Sequence, residues 1–516
     1  MHLCPFIRLW LSLCAVVAVA MPSAAAPFNF QSLQEKAKTL AASEYKAPPA
    51  LPHVLVDLNY DQYRAIKTSK GGTLWADRDS PFQIEFMHAG YRFTKPVKMN
   101  LLNADTREPS PLKFEKKYFD YSKLVVHHPI NEEEIHGFAG FRIRHPLEGG
   151  KENFDEIGSF LGASYFRLLG KGQRYGISAR GLAINSVLDD YNEEFPDFIE
   201  YWLVEPKPAD KFLEFYALLD SPSVAGAFRF EIHPGDVTVS KIQVSLYFRK
   251  YNPSVGLAPL TSMFWFGENH KERPFGDWRP EVHDSDGLLV KTEGQNTVWR
   301  PLYNHHAIRN SWLDATKLQG FGLFQRDREY VHYQDLSNPQ HQAPSTWIKP
   351  TGDLSAWSTG SIRLIELPTD NEAMDNIVTF FQPKESPQAG ESLHYSYDLV
   401  WELAGEKDLS PNHVTSTRIG KLKPYPGTRR FVVDFEGPDL NKLPADAPIF
   451  AEITSSENGY ITENQCFKNV HTGGWRIEFK LDSDKKSPHP VELRCTLKHP
   501  TTKKPLSETW SYQWTH

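Results

Sequence analysis

Apolar and polar residues alternate in several segments of this chain. Within residues 237–250, the apolar residues Ile242, Val244, Leu246 and Phe248 are separated by polar ones or by Tyr. Successive side chains of a strand point to opposite faces of a sheet, so this pattern indicates strands with one buried and one solvated face. Clusters of Gly, Pro, Asn and Asp separate these segments, as is typical of antiparallel sheets. The sequence therefore predicts an all-β fold whose main body is a large antiparallel β-sandwich.

One segment near the start has a helical pattern instead. Residues 30–41, "FQSLQEKAKTLA", place Leu33, Ala37 and Leu40 on one face, and Asn29 directly before them is a good N-cap residue. We expect a helix that begins after Asn29.

The length and a change in composition indicate two domains. The chain has 516 residues, which is too long for one ordinary domain. The segment 381–393, "FQPKESPQAGESL", interrupts the strand pattern, and strands resume with "HYSYDLVWEL". The number and spacing of the later strands suit an immunoglobulin-type sandwich. We expect a large β-sandwich domain over residues 26–388 and a smaller immunoglobulin-like β-sandwich over 391–516.

Residues 1–25 have the layout of a secretory signal peptide. They contain one Arg, no Lys and no acidic residue, and the apolar run "LWLSLCAVVAVA" precedes small residues around Ala25. This run is too short to predict a membrane span. We therefore expect cleavage after Ala25 and an exported protein without stable membrane insertion. The net charge of −7 also argues against a nucleic-acid partner.

Two cysteines, Cys466 and Cys495, remain after the predicted cleavage. A disulfide between them in an oxidising compartment would contribute about 3 kcal/mol. Two free thiols fit the sequence equally well, and both alternatives stay open.

Common catalytic signatures are absent from the sequence. It has no G-x-S-x-G, H-E-x-x-H or C-x-x-C motif. The glycine-rich segment 170–176, "GKGQRYG", lacks the spacing of a phosphate loop and is predicted to be a turn between strands. We therefore expect no cofactor and no metal. Aromatic residues make up 13% of the chain; most of them suit a sheet core, and some suit a sugar-binding cleft.

Two acidic segments are candidates for a functional site. One is 279–290, "RPEVHDSDGLLV", with Asp284; the other is 365–376, "IELPTDNEAMDN", with four carboxylates that include Glu372 and Asp375. Turns and a capping box would give both segments a purely structural role. Calcium binding is disfavoured because the ligand order of an EF-hand is missing. Glycoside hydrolysis is a further interpretation beside the structural one, since clustered acids in a cleft raise the pKa of one carboxyl group, which then serves as the acid.

Several long blocks of this sequence resemble the family of periplasmic glucan-biosynthesis proteins G and D. The resemblance extends from about residue 29 to the end, and the lack of an Arg-Arg pair near the start is typical of the G branch. The blocks are "LGASYFRLLGKGQRYGISARGLAI" (161–184), "APLTSMFWFG" (258–267), "RPEVHDSDGL" (279–288), "QGFGLFQRDREY" (319–330), "IELPTDNEAMDNIV" (365–378) and "LSETWSYQW" (506–514).

This resemblance implies a galactose-mutarotase-like sandwich followed by an immunoglobulin-like domain. It also implies a periplasmic location and a role in making osmoregulated glucans with a β-1,2-linked backbone. Family members are grouped with inverting endo-β-1,2-glucanases, which would make Asp375 the acid and Asp284 the residue on the base side. If residues 370–375 are helical, Glu372 lies one turn before Asp375 and holds its proton in place. The inner-membrane glucan glucosyltransferase is the implied partner.

The sequence departs from the family pattern just before Pro-Ser-Thr-Trp. Gln340 and Ala343 stand where the family commonly has Tyr and Arg. If those residues take part in proton transfer or glucan binding, the departure favours an alternative function. In that alternative the chain is a non-catalytic glucan-binding scaffold that acts with the glucosyltransferase.

Overall fold

The computed structural model describes residues 27–515, apart from 127–128, 151–152, 269, 271–275, 295, 404–408, 424, 426, 485–486 and 488. The predicted signal peptide, residues 1–25, lies outside the described residues. Strands greatly outnumber helices in the described chain, which confirms the predicted all-β class. The α-helices are Phe30–Ala41, His53–Val56, Tyr60–Ala65, Tyr330–Tyr333 and Pro438–Lys442, and short 3-10 helices occur at Lys116–Tyr118, Glu132–Glu134, Gln340–Gln342 and Ser355–Trp357. In the part of the chain that the structure describes, no helix has the length and apolar character needed to cross a membrane.

Two large sheets form the main body. The first has eleven strands among the described residues, and neighbouring strands pair antiparallel. In spatial order its strands are Thr73–Leu74, Gln83–Met87, Gly140–His145, Asp155–Leu161, Tyr165–Leu168, Ser178–Arg180, Val255–Ser262, Ile377–Pro383, Gly360–Glu366 and Arg309–Asp314, and Ala183–Ile184 pairs with Val255–Ser262 beside this path.

The second sheet has fourteen strands among the described residues. All but two of its pairings are antiparallel; Asp197–Val204 is parallel to Lys98–Leu102, and Asn296–Pro301 is parallel to Thr509–Trp514. In spatial order its strands are Phe450–Ser455, Val491–Lys498, Thr509–Trp514, Asn296–Pro301, Gly287–Thr292, Leu318–Phe324, Ser345–Thr351, Ser392–Glu402, Thr238–Phe248, Val224–His233, Leu213–Asp220, Asp197–Val204, Lys98–Leu102 and Pro109–Leu112.

The main hydrophobic core lies between these two sheets. Phe141 and Phe160 of the first sheet contact Phe215 of the second edge to face, with ring centroids about 5 Å apart. The alternating pattern of the strand Thr238–Phe248 places one of its faces in this core. Lys241 and Gln243 on the other face are exposed, and the buried residues are Ile242, Val244, Leu246 and Phe248. Two sheets packed face to face through such a core constitute the predicted β-sandwich.

The strand Ser392–Glu402 lies inside the large sheet. It pairs through residues 392–401 with Thr238–Phe248 on one side and through residues 396–402 with Ser345–Thr351 on the other. This strand follows the predicted boundary between residues 388 and 391, but its hydrogen bonds join it to the strands of the larger sandwich. The division of the chain into two domains stays a prediction, and this pairing would move the boundary past residue 402.

A second core lies toward the C-terminus. A further sheet, of four strands among the described residues, packs on one end of the fourteen-stranded sheet. The rings of Phe431 and Trp510 are in contact there, with their centroids 6.0 Å apart. Cys466 and Cys495 lie in strands on opposite sides of this core, and both are free thiols. In spatial order the sheet contains His413–Lys421, Arg429–Glu436, Trp475–Ser483 and Gly459–Lys468.

The predicted helix at residues 30–41 is confirmed. Asn29 caps it in a capping box with Ser32, and Leu33 and Ala37 are buried against the outer face of the large sheet. The predicted turn at 170–176 is also confirmed, since it joins the antiparallel strands Tyr165–Leu168 and Ser178–Arg180.

Two small sheets complete the fold among the described residues. One pairs Lys67–Thr68 with Phe119–Asp120, and the other pairs Phe264–Phe266 with Val282–His283. The second leads directly into Asp284 and positions the site described next.

Candidate functional site

Asp284 and Asp375 are brought to the same edge of the eleven-stranded sheet. The backbone N–H of Asp284 donates to the carbonyl of Met263, directly after the strand Val255–Ser262. Ser262 pairs with Ile377, two residues after Asp375. Residues separated by 91 positions in the sequence therefore become neighbours through one strand pairing.

The two carboxyl groups interact electrostatically. Burial raises the pKa of Asp284 to about 7, and the negative charge of Asp375 adds to this rise. Burial also raises the pKa of Asp375, and Arg167 opposes that rise. The Arg167 guanidinium lies 3.7 Å from the Asp375 carboxylate, and its Nε donates to the Ser178 hydroxyl at 2.6 Å. Asp284 therefore keeps a proton at a higher pH than an exposed carboxyl group does, through burial first and the charge of Asp375 second.

Three of the four acidic residues in 365–376 have partners of their own. Glu366 is buried, accepts a hydrogen bond from the Tyr303 backbone at 2.9 Å, and lies 3.4 Å from His305. Asp370 accepts one from the Asn371 side chain at 2.7 Å. Glu372 binds an arginine, as described below. Asp375 has only the longer contact to Arg167 among the ion pairs of the described residues.

Glu372 is directed toward Arg279 rather than placed on a helix. Residues 370–374 form bends and a turn, so the helical spacing considered from the sequence is wrong. The Arg279 guanidinium donates to Glu372 at 2.7 Å, to Asp277 at 2.7 Å and to Asp335 at 3.3 Å. These bonds hold the turn that carries Glu372 against the segments that carry Arg279 and Asp335. The role of Glu372 in holding the Asp375 proton stays a prediction.

Two asparagines that the sequence analysis missed fix the acidic loop. The buried Asn376 side chain accepts from the Phe264 backbone N–H at 2.8 Å and donates to the carbonyls of Phe264 and Leu367 at 3.0 Å. The Asn304 side chain bonds the backbone of Thr369 in both directions, at 2.8 and 3.0 Å. Asp375 is thus held from both ends of its loop. No local pattern reveals these residues, because their partners are backbone groups of distant segments.

Asp284 is enclosed by three other residues. A Cβ atom on Gly176 would lie 3.3 Å from the Asp284 Cβ and 2.8 Å from the Ala343 Cβ, so only glycine fits there without a shift. The buried Gln340 side chain faces the Asp284 carboxyl group, and its amide has no other well-aligned partner among the described residues. Gln340 and Ala343, the two departures from the family pattern, therefore both lie at the predicted base-side residue.

Two open pockets are lined by sequence neighbours of residues at this site. One, of about 490 Å³, is lined by Tyr175 and by residues that flank Gln340. The other, of about 620 Å³, is lined by Trp265, His270 and the loop residues up to Met374. Burial lowers the pKa of His270 to about 4, so this ring is neutral above pH 5. The second pocket therefore offers uncharged aromatic rings and polar groups together, a combination that suits a sugar.

One cluster among the described residues brings metal-ligating side chains together. Ligand atoms of Glu281, Asp327 and His332 all lie within 4.8 Å of one another. None of them belongs to the carboxyl pair.

The fold and the site together define the class of this protein. It is an all-β sandwich protein with an electrostatically coupled pair of carboxyl groups beside an aromatic pocket. The family model of the periplasmic glucan biosynthesis protein MdoG matches residues 28–514. The chain therefore belongs to this family, as the resemblance predicted, and this membership supports a role in periplasmic glucan biosynthesis.

Relatives named "Glucans biosynthesis protein G" match almost the whole chain. The protein from Ralstonia nicotianae is 41% identical over 510 residues, which cover 96% of this chain and 98% of the relative. The proteins from Pseudomonas paraeruginosa and Pseudomonas aeruginosa are each 39% identical, over 96% of this chain and 95% of the relative.

Proposed function

We propose that this protein binds β-1,2-linked glucan in the periplasm and cleaves it as an inverting endo-hydrolase. Asp375 is the general acid, and Asp284 acts on the base side. The observation that carries this proposal is the coupled pair of carboxyl groups, both with a raised pKa. Inverting hydrolysis needs one carboxyl group that protonates the leaving oxygen and another that accepts a proton from water.

The assignment of roles requires a proton shift when glucan binds. In the free protein Arg167 favours the ionised form of Asp375, while burial and the charge of Asp375 favour the protonated form of Asp284. The Asp375 side chain is 36% exposed, and its neighbour Met374 lines the second pocket. A bound sugar would remove water from it and raise its pKa, which moves the shared proton toward the glucosidic oxygen.

The two pockets support endo cleavage. Residues next to Gln340 line one pocket, and Met374, the neighbour of Asp375, lines the other. A glucan chain that fills both would cross the carboxyl pair at an internal linkage. Trp265 in the second pocket offers an aromatic face for a pyranose ring.

The test compares Asp375→Asn and Asp284→Asn with the wild-type protein on linear β-1,2-glucan. We expect both variants to lose at least 100-fold in rate, since general acid–base catalysis contributes on the order of 10²–10⁴-fold. NMR of the first products should show the α-anomer. Asp314→Asn, at an exposed acid of a distant strand, is the matched control and should keep full activity.

An activated substrate separates the two roles. A β-1,2-glucooligosaccharide with a nitrophenolate leaving group needs little protonation, so it should restore turnover to Asp375→Asn and not to Asp284→Asn. Unimpaired hydrolysis of the natural glucan by Asp375→Asn would overturn the assignment, because an amide cannot donate that proton.

The enclosure of Asp284 by Gln340 and Ala343 favours a second candidate function. In this alternative the protein is a glucan-binding scaffold without turnover, acting with the inner-membrane glucosyltransferase. Glucan binding measured by calorimetry, together with unchanged glucan length after long incubation, would support the scaffold and exclude the hydrolase. Crosslinking in membranes that contain the glucosyltransferase tests the partnership in either case.

A further inference from the structure

We propose that Glu281, Asp327 and His332 form a binding site for a divalent transition metal, with Zn²⁺ as the best-fitting ion. The site shares no residue with the carboxyl pair, and no step of the proposed hydrolysis uses it. Its ligands come from three places in the chain: the segment before the strand Val282–His283, the loop after the strand Leu318–Phe324, and the helix Tyr330–Tyr333.

The geometry is close to that of an occupied site. The three ligand atoms lie within 4.8 Å of one another, and His332 Nδ1 is 2.6 Å from an Asp327 carboxylate oxygen. Ligands at about 2.0–2.1 Å from a tetrahedral Zn²⁺ lie about 3.3 Å apart. The longest separation would have to shorten by up to about 1.5 Å and the His332–Asp327 contact would have to lengthen by about 0.7 Å to reach this arrangement.

The donor set selects the kind of metal. One imidazole and two carboxylates suit Zn²⁺ and its transition-metal neighbours, whereas Ca²⁺ prefers six to eight oxygen ligands. Three protein ligands leave a coordination position open. His332 is exposed, Asp327 is partly buried and Glu281 is 9% exposed, so an ion can enter from the side of His332.

The carboxylates are already oriented by neighbouring groups. His283 Nε2 lies 2.9 Å from a Glu281 carboxylate oxygen, and the Glu329 backbone N–H donates to Asp327 at 3.1 Å. Such outer partners are a regular feature of metal sites. The Tyr333 hydroxyl donates to the Asp327 carbonyl at 3.0 Å and fixes the helix that carries His332. These contacts distinguish the cluster from a set of freely moving surface acids.

Metal binding would stabilise the side of the first pocket that Tyr330 lines. The ion would join the segment before Asp284 to the helix Tyr330–Tyr333, and Tyr330 lines that pocket. We therefore expect occupancy to stabilise the folded protein and to reduce the mobility of the loop that leads to Gln340.

The test uses untagged mature protein, stripped with EDTA and desalted. Calorimetric titration with ZnCl₂ should show one site per chain, and ZnCl₂ should raise the thermal midpoint while CaCl₂ at the same concentration should not. His332→Ala should weaken Zn²⁺ binding at least 10-fold and abolish the thermal shift. His471→Ala, at an exposed histidine of the C-terminal part, should bind Zn²⁺ as the wild type does.

Asp327→Asn adds a second ligand variant, and circular dichroism reports whether each variant folds. His332 is exposed, so its variant should keep the wild-type fold even if Asp327→Asn does not. Equal Zn²⁺ affinity of the wild type and His332→Ala would overturn the proposal, and so would the absence of a stoichiometric site in the wild type.

Discussion

The raised pKa of Asp284 predicts a dependence of stability on pH that one substitution should remove. The pKa rises from 3.8 to about 7 on folding, mainly through burial. Between these values the folded protein keeps a proton that the unfolded chain has lost. The free energy of unfolding therefore falls as pH rises through this window and is level above pH 7.

The magnitude follows from the width of the window. Each pH unit is worth about 1.4 kcal/mol, so ionised Asp284 destabilises the fold by at most about 4 kcal/mol above pH 7. Between pH 5 and pH 8 the loss is about 3 kcal/mol. Asp284→Asn has no proton to lose, so its stability relative to the wild type should rise by about this amount between the two pH values.

Urea unfolding followed by tryptophan fluorescence at pH 5 and pH 8 measures the effect. Asp314→Asn is the control and should follow the wild type at both values. Asp375→Asn should reduce the pH dependence without removing it, because the charge of Asp375 is the second cause of the shift. The same stability difference between the wild type and Asp284→Asn at both pH values would refute the burial argument.

Three further substitutions test contacts that hold the site and the fold. Asn376→Ala removes three buried hydrogen bonds to the backbone of the acidic loop and should cost about 3 kcal/mol in urea unfolding; a loss below 1 kcal/mol would show that water replaces the amide. Gly176→Ala should cost about 1–3 kcal/mol through its clash with Ala343, and adding Ala343→Gly should recover most of it, whereas additive losses would contradict the contact. Glu508→Ala removes a fully buried carboxylate that binds Arg326, so it should lower stability by about 3–5 kcal/mol; an unchanged thermal midpoint would contradict this.

The site could be predicted only in part from the sequence. The acidic segments make Asp284 and Asp375 candidates, the family resemblance implies their roles, and the structure brings them to one sheet edge. Glu372 would lie one turn before Asp375 if residues 370–375 were helical, but they form bends and a turn, and its carboxylate binds Arg279. An alternating strand pattern does not specify which distant arginine will reach an acid, because that depends on loop positions fixed by the packed sheets.

The sequence by itself determined the features that depend on near neighbours along the chain. These are the capped helix Phe30–Ala41, the alternating strands and the turn at 170–176, since side-chain periodicity and capping involve residues a few positions apart. Only the tertiary structure decided that Ser392–Glu402 lies between Thr238–Phe248 and Ser345–Thr351, and that Asp284 and Asp375 interact. Strand pairing and electrostatic interaction act through space, so neither is encoded in the local order of the residues.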